Sequence, residues 1–164
     1  MNINSEAIQI SLDLKEVVFV GAFAVTAHVG AYRRTADIDL ALASTVDDAA
    51  LERMGYHLRL ESGKEVRRTP GGVKIDIFRR DVGGISVKKI FETAEDKSFG
   101  KRRLKVMGLE ALLLAKHRAQ RPQDIEDMRM LIVVRSRAIR WDILESMATP
   151  VEVAELKKTV SAMG

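Results

Sequence analysis

Hydrophobic and polar residues change rhythm along this chain, and each change predicts an element. Residues 3–14 alternate weakly and fit either an opening helix or a short strand. Residues 17–20 (Val-Val-Phe-Val) are an apolar strand, Gly21 is a turn, and a helix of small residues follows. A basic loop (Arg33, Arg34, Thr35) leads to a second strand carrying Asp37 and Asp39. Thr45-Val46-Asp47-Asp48 starts a helix that carries Ala49, Ala50, Leu51 and Met54 and stops at Gly55. Residues 56–60, 65–69 and 73–78 read as three strands, punctuated by Ser62-Gly63 and Pro70-Gly71-Gly72. Such a meander makes them antiparallel neighbours in a mixed sheet. Beyond the Gly83-Gly84 loop, residues 87–94 suit a short helix, 95–103 are polar and irregular, and 104–107 form a last strand.

From Gly108 the period becomes helical. Leu109, Leu112, Leu113 and Lys116 share one face, Pro122 separates the next helix with Ile125, Met128 and Ile132, and a third begins near Trp141. Thr149-Pro150-Val151-Glu152 has the form of a capping box with proline at the first helical position, and opens a fourth. The expected fold class is α/β: a small mixed sheet with flanking helices and a helical C-terminal part. One domain is expected over 1–164, with the sheet within 1–107 and the helical part over 108–164.

The charged residues that interrupt apolar stretches are the candidates for chemistry. Alternate residues of a strand point to one face, so Asp37 and Asp39 project together. Ile38, Leu40, Leu42, Ala41 and Ala43 make that strand look buried, where unpaired carboxylates would cost several kcal/mol, on the order of what a bound cation relieves. Oxygen ligands of this kind suit Mg²⁺. The alternative is a pair that simply faces water. Asp76 interrupts the apolar strand 73–78 and fits either a third ligand or base, or an ion pair with Lys74. Gly21 opens a helix whose first N–H groups are free to receive phosphate. Lys116 lies on an apolar stripe, where it either snorkels or meets an anion, and Asp124 and Asp127 are placed to pair with it or with Arg121. A phosphate cradle beside carboxylates is the equipment of phosphoryl-type transfer from a nucleotide.

Composition narrows these options. The chain has 164 residues, 46% hydrophobic and 30% charged, enough for a core without covalent staples. Absence of cysteine excludes disulfides, thiol catalysis and thiolate metal sites, and His28, His57 and His117 lack metal-ligand spacing. No basic-then-apolar leader and no apolar run of membrane-spanning length is present, so a cytoplasmic protein without membrane association is expected. The net charge of +4 is spread along the chain, and aromatics are 5% of residues, which weakens a general nucleic-acid binder as a third option.

In order, a strand, a glycine turn into a helix, Arg-x-Thr-x-Asp-x-Asp, a later strand aspartate, and Lys before Arg-x-x-Asp-x-x-Asp resemble the nucleotidyltransferase superfamily with the DNA polymerase β type fold. More narrowly, the chain is similar to the minimal, abortive-infection-toxin-like branch, over roughly residues 16–134. The resemblance implies Mg²⁺-dependent transfer of a nucleoside monophosphate from an NTP to an acceptor: an RNA end, a protein hydroxyl or a small molecule. It implies that Asp37 and Asp39 hold two metal ions, while Asp76 ligates one and helps deprotonate the acceptor. Gly21 and Ala22 would hold the triphosphate by their backbone, Arg33 and Thr35 would stand beside the phosphates, and Lys116 would bind phosphate with Asp124 as its acidic companion. Gly21-Ala22 departs from the Gly-Gly or Gly-Ser usual there; alanine loses a hydroxyl and keeps the N–H. The runner-up is a non-catalytic binding module, such as an antitoxin-like partner in a toxin–antitoxin pair.

Overall fold

Val17–Val20 (β1) is buried at all four positions because it has a strand on each side. Ile38–Leu42 (β2) runs antiparallel to it, with Val20 opposite Asp39, and Arg102–Val106 (β9) runs parallel, with Phe19 opposite Val106. The computed structural model describes residues 2–163. Leu58–Glu61 (β3), Lys64–Arg68 (β4), Lys74–Phe78 (β5) and Glu95–Phe99 (β8) complete a seven-stranded mixed sheet in the order β3-β4-β5-β2-β1-β9-β8. β3, β4 and β5 are antiparallel neighbours, as the meander predicts. The contact that builds the site is between β5 and β2: they run parallel, and Asp39 sits opposite Asp76.

The weakly alternating N-terminus is helical, Ile3–Leu14 (α1), capped by the Asn2 side chain and burying Ala7, Ile10 and Leu14 at three- and four-residue spacing. Gly21–Val29 (α2) leaves β1 directly; Asp48–Arg53 (α3) is capped by Asp47. The strand expected at 56–60 begins only at Leu58, because Tyr56 is fully buried and its hydroxyl donates to Asp13 at 2.6 Å.

Residues 95–103 are not irregular. They contain β8, which turns at Gly100 into β9, so the strand expected at 104–107 is the second half of a hairpin spanning 95–106. β8 is an edge strand, and its inward positions Glu95, Lys97 and Phe99 are only half-buried, so no apolar period marks it. Phe99 stacks on Phe23 with centroids 5.3 Å apart, and Glu95 accepts the Leu109 N–H at 2.8 Å.

Asp81–Val82 (β6) and Ile85–Ser86 (β7) form a separate two-stranded ribbon, followed by Val87–Thr93 (α4). The C-terminal part is helical as expected: Leu109–Ala119 (α5), Pro122–Arg135 (α6), Trp141–Glu145 (α7) and Pro150–Met163 (α8). α5 and α6 pack together and against α2, and Phe19, Phe23, Leu40, Met107, Leu112 and Leu131 belong to one core. Among the described residues no helix is long and apolar enough to cross a membrane.

Candidate active site

Gly21 adopts φ +61, a left-handed conformation that glycine tolerates best, and a Cβ there would lie 2.2 Å from Asp39 Oδ2. Glycine therefore does two things: it turns the chain from β1 into α2, and it leaves room for the aspartate beside the helix start. No side chain caps α2. Val20, Gly21, Ala22 and Asp39 line a cavity of about 680 Å³. The first N–H groups of a helix lack intrahelical acceptors, so this uncapped end is a donor cluster for an anion.

Among the predicted site residues, Asp39 has a raised carboxyl. Burial, then the charge and hydrogen bond of Asp76, then the charge of Asp37 push its carboxyl up to about 6. Like charges are held together here without a full counterion. Asp37 is placed differently from the expectation of a shared buried strand. It lies one residue before β2, its side chain is 47% exposed, and its Oδ2 is 3.8 Å from Lys74 Nζ. The Thr35 hydroxyl donates to the Asp37 carbonyl at 2.9 Å and fixes the loop; Thr35 does not line the cavity. Asp76 is exposed, on β5.

Among the described residues no group of three or more histidine, aspartate or glutamate side chains is disposed to hold a metal ion. Pairing of Asp37 with Lys74 is one physical reason. The pair Asp39–Asp76 nevertheless fits a divalent cation in chemistry: its donors are hard oxygens, and mutual repulsion raises Asp39.

The other wall comes from α5 and α6. Lys116 is buried in the last turn of α5, with Nζ 3.0 Å from Asp124 Oδ1 and 2.9 Å from Asp127 Oδ2. Gln120 ends α5 in the left-handed conformation, and Pro122 starts α6 so that Asp124 falls in its first turn, where its carboxylate also accepts from the Arg121 backbone N–H. Burial opposes ionisation of Asp124, but hydrogen bonds from Arg121 and Lys116 hold its carboxyl below the usual range. Arg33 donates to both oxygens of Asp127, at 3.0 and 2.9 Å, and the Tyr32 hydroxyl and Gln123 amide donate to it as well. Burial pushes the Asp127 carboxyl up to about 6, and two cations lie within 3.0 Å of it. Arg33 and Lys116 thus both line the cavity while neutralised from within the protein.

The cavity therefore gathers Gly21, Ala22, Arg33, Asp39, Lys116 and Asp124; Asp37, Thr35 and Asp76 are outside its lining. Sequence reasoning missed the role of Tyr32 and the apolar part of the lining, where Phe78, Val82 and Met107 meet Leu112, Ala115 and Ala119 of α5. The Gly83-Gly84 pair was the available signal for the ribbon that carries Val82.

No curated protein matches the chain in sequence. Solved structures that share its fold include two of ANT(2'')-Ia. The solution structure of the antibiotic-resistance factor ANT(2'')-Ia aligns with TM-score 0.58 and 15% identity over 98% of this chain and 92% of that one. The crystal structure of ANT(2")-Ia in complex with adenylyl-2"-tobramycin aligns with TM-score 0.58 and 14% identity over 96% of each chain. A family model described as "Nucleotidyl transferase of unknown function (DUF2204)" matches residues 6–164. With that match over nearly its whole length, and with this mixed sheet and helical C-terminal part, the chain belongs to that nucleotidyl transferase family and has a nucleotidyltransferase-superfamily fold of the DNA polymerase β type.

Proposed function

We propose that this protein transfers a nucleoside monophosphate from an NTP to an acceptor hydroxyl in the presence of Mg²⁺. The observation that carries the reading is the β2–β5 register: it sets Asp39 opposite Asp76, and Asp39 adjoins the Gly21 turn in the cavity that Lys116 also lines. The N–H groups at the start of α2 receive phosphate oxygens, and Lys116 supplies the nearest buried ammonium. Asp39 and Asp76, with Asp37 beside them, would hold the metal, which when bound supplies positive charge for the triphosphate and acidifies the attacking hydroxyl. Asp76, exposed to arriving molecules, accepts the acceptor proton in this reading. The acceptor class is an RNA end, a protein hydroxyl or a small molecule; the complex of ANT(2")-Ia with adenylyl-2"-tobramycin is a precedent for the last.

One observation favours a second reading. Arg33 is paired with Asp127 and Lys116 with both Asp124 and Asp127, and no three-ligand metal cluster stands ready among the described residues. A non-catalytic nucleotidyltransferase-fold binding module, such as an antitoxin-like protein partner, would keep such a network for structure alone. The test is titration with each labelled NTP in Mg²⁺ and in EDTA, beside a transfer assay with RNA, protein and small-molecule acceptors. Nucleotidyl transfer predicts Mg²⁺-dependent binding and labelled product. Asp76→Asn should then lower turnover at least about a hundredfold, a larger factor than the fall in NTP affinity that weaker metal binding brings. Mg²⁺-independent binding with no transfer to any acceptor would favour the second reading.

A further inference from the structure

The ribbon β6–β7 brings Val82 and Gly83 to the cavity although it is not part of the seven-stranded sheet. An isolated two-stranded ribbon is marginally stable, so something else must hold this one in place. Two contacts do so. Gly83 lies so close to α5 that a Cβ there would be 3.2 Å from the Ala115 Cα. Arg118, on the same helix, donates from Nη1 to the Gly83 carbonyl at 2.7 Å. The remaining side of the same guanidinium is gripped by Glu152 of α8, with Nε and Nη2 at 2.7 and 2.9 Å from its two oxygens. Glu152 is itself fixed, because it forms the capping box with Thr149 at the start of α8. A planar guanidinium spreads its donors over a fork that meets both carboxylate oxygens and the carbonyl from opposite sides; the three donors of an ammonium sit on one nitrogen and cannot span that distance.

We infer that the strap Gly83–Arg118–Glu152 sets the wall against which the uncharged part of the NTP, base and ribose, packs, and that Arg118 is a positioning residue for that part. The inference rests on the nucleotidyl-transfer reading. It follows from the chemistry of the lining: the charged groups are at the start of α2 and around Lys116, whereas Val82, Phe78, Met107 and Leu112 offer only apolar surface. α8, which does not line the cavity, thereby controls its shape.

The test separates the two parts of the ligand. Wild type, Arg118→Ala, Arg118→Lys and Glu152→Gln are titrated in Mg²⁺ with each NTP and with inorganic tripolyphosphate, and amide exchange is followed across residues 81–86. Arg118→Ala should weaken NTP about tenfold, Arg118→Lys nearly as much and Glu152→Gln about threefold, with tripolyphosphate affinity unchanged. Exchange across the ribbon should accelerate in the same order. Equal loss of NTP and tripolyphosphate affinity, or wild-type NTP affinity in both Arg118 variants, would overturn the inference. So would unaltered amide exchange, which needs no ligand at all. Should Arg118→Ala fail to fold, Glu152→Gln and Arg118→Lys decide by the same ratio. Wild type that binds neither ligand would instead overturn the nucleotidyl-transfer reading, and the strap's role with it.

Discussion

Asp39→Asn should make the protein more stable in metal-free buffer at pH 8. Asp39 is held at about 6 in the folded state against an ordinary value of 3.8, by burial and by the Asp76 and Asp37 carboxylates. A raised carboxyl binds its proton more tightly when folded, so stability falls as pH rises through this window and the cost is complete above it. The difference of about two pH units corresponds to roughly 3 kcal/mol, an upper figure because water still reaches part of the site. At pH 5 about half of that penalty remains. Asparagine keeps the shape and can donate to Asp76, so the substitution removes charge without opening a cavity. For a chain of this size the gain is worth about 6–12 °C in Tm at pH 8. Differential scanning fluorimetry and urea denaturation at pH 5 and pH 8, each in EDTA and in Mg²⁺, would measure it. Mg²⁺ should raise wild type and leave the variant unmoved, because ligand binding stabilises only the form that binds it. A variant equal to or less stable than wild type at pH 8 in EDTA, or a gap independent of pH, would refute the reasoning.

Three further outcomes are expected. Lys116→Ala strips the shared ammonium from buried Asp124 and Asp127, and should cost about 3 kcal/mol in urea denaturation and weaken NTP more than about tenfold by titration. Gly21→Ala drives a methyl group into Asp39, whereas Gly30→Ala, also at positive φ but with nothing within 4 Å of its Cβ, suffers only backbone strain. Gly21→Ala should therefore lose at least about 1 kcal/mol more than Gly30→Ala in the same denaturation assay. His28 is buried, with Nε2 2.9 Å from the Met107 carbonyl and Nδ1 without a partner; burial lowers its pKa against the pull of that carbonyl and Glu95. A lowered imidazole gives stability that is full above the unfolded value of about 6.5 and is lost as pH falls below it. Urea denaturation at pH 7.5 and 5.5 of Asp39→Asn and of Asp39→Asn with His28→Asn should differ by that loss, the Asp127 contribution being common to both.

What the sequence determined by itself is local. The period of Leu109, Leu112, Leu113 and Lys116 defines α5, Pro122 starts α6, and the Thr149–Glu152 box starts α8, because each signal lies within a few residues of the backbone it controls. The glycine at 21 and the aspartates at 37, 39 and 76 stand out by the same logic, as residues whose cost in an apolar strand demands an explanation. Tertiary structure decided the rest. Nothing in residues 95–103 announces β8, since a polar edge strand is specified by its partner β9 and not by its own period. The parallel register that sets Asp39 against Asp76 joins strands separated by the whole β3–β4 hairpin, and leaves Asp37 beside Lys74. Arg33 and Lys116 were expected to stand beside phosphate; that both pair with one buried carboxylate, Asp127, was not legible. Charge pairing of this kind depends on how α2, α5 and α6 pack, and packing is a property of the folded chain, not of any segment within it.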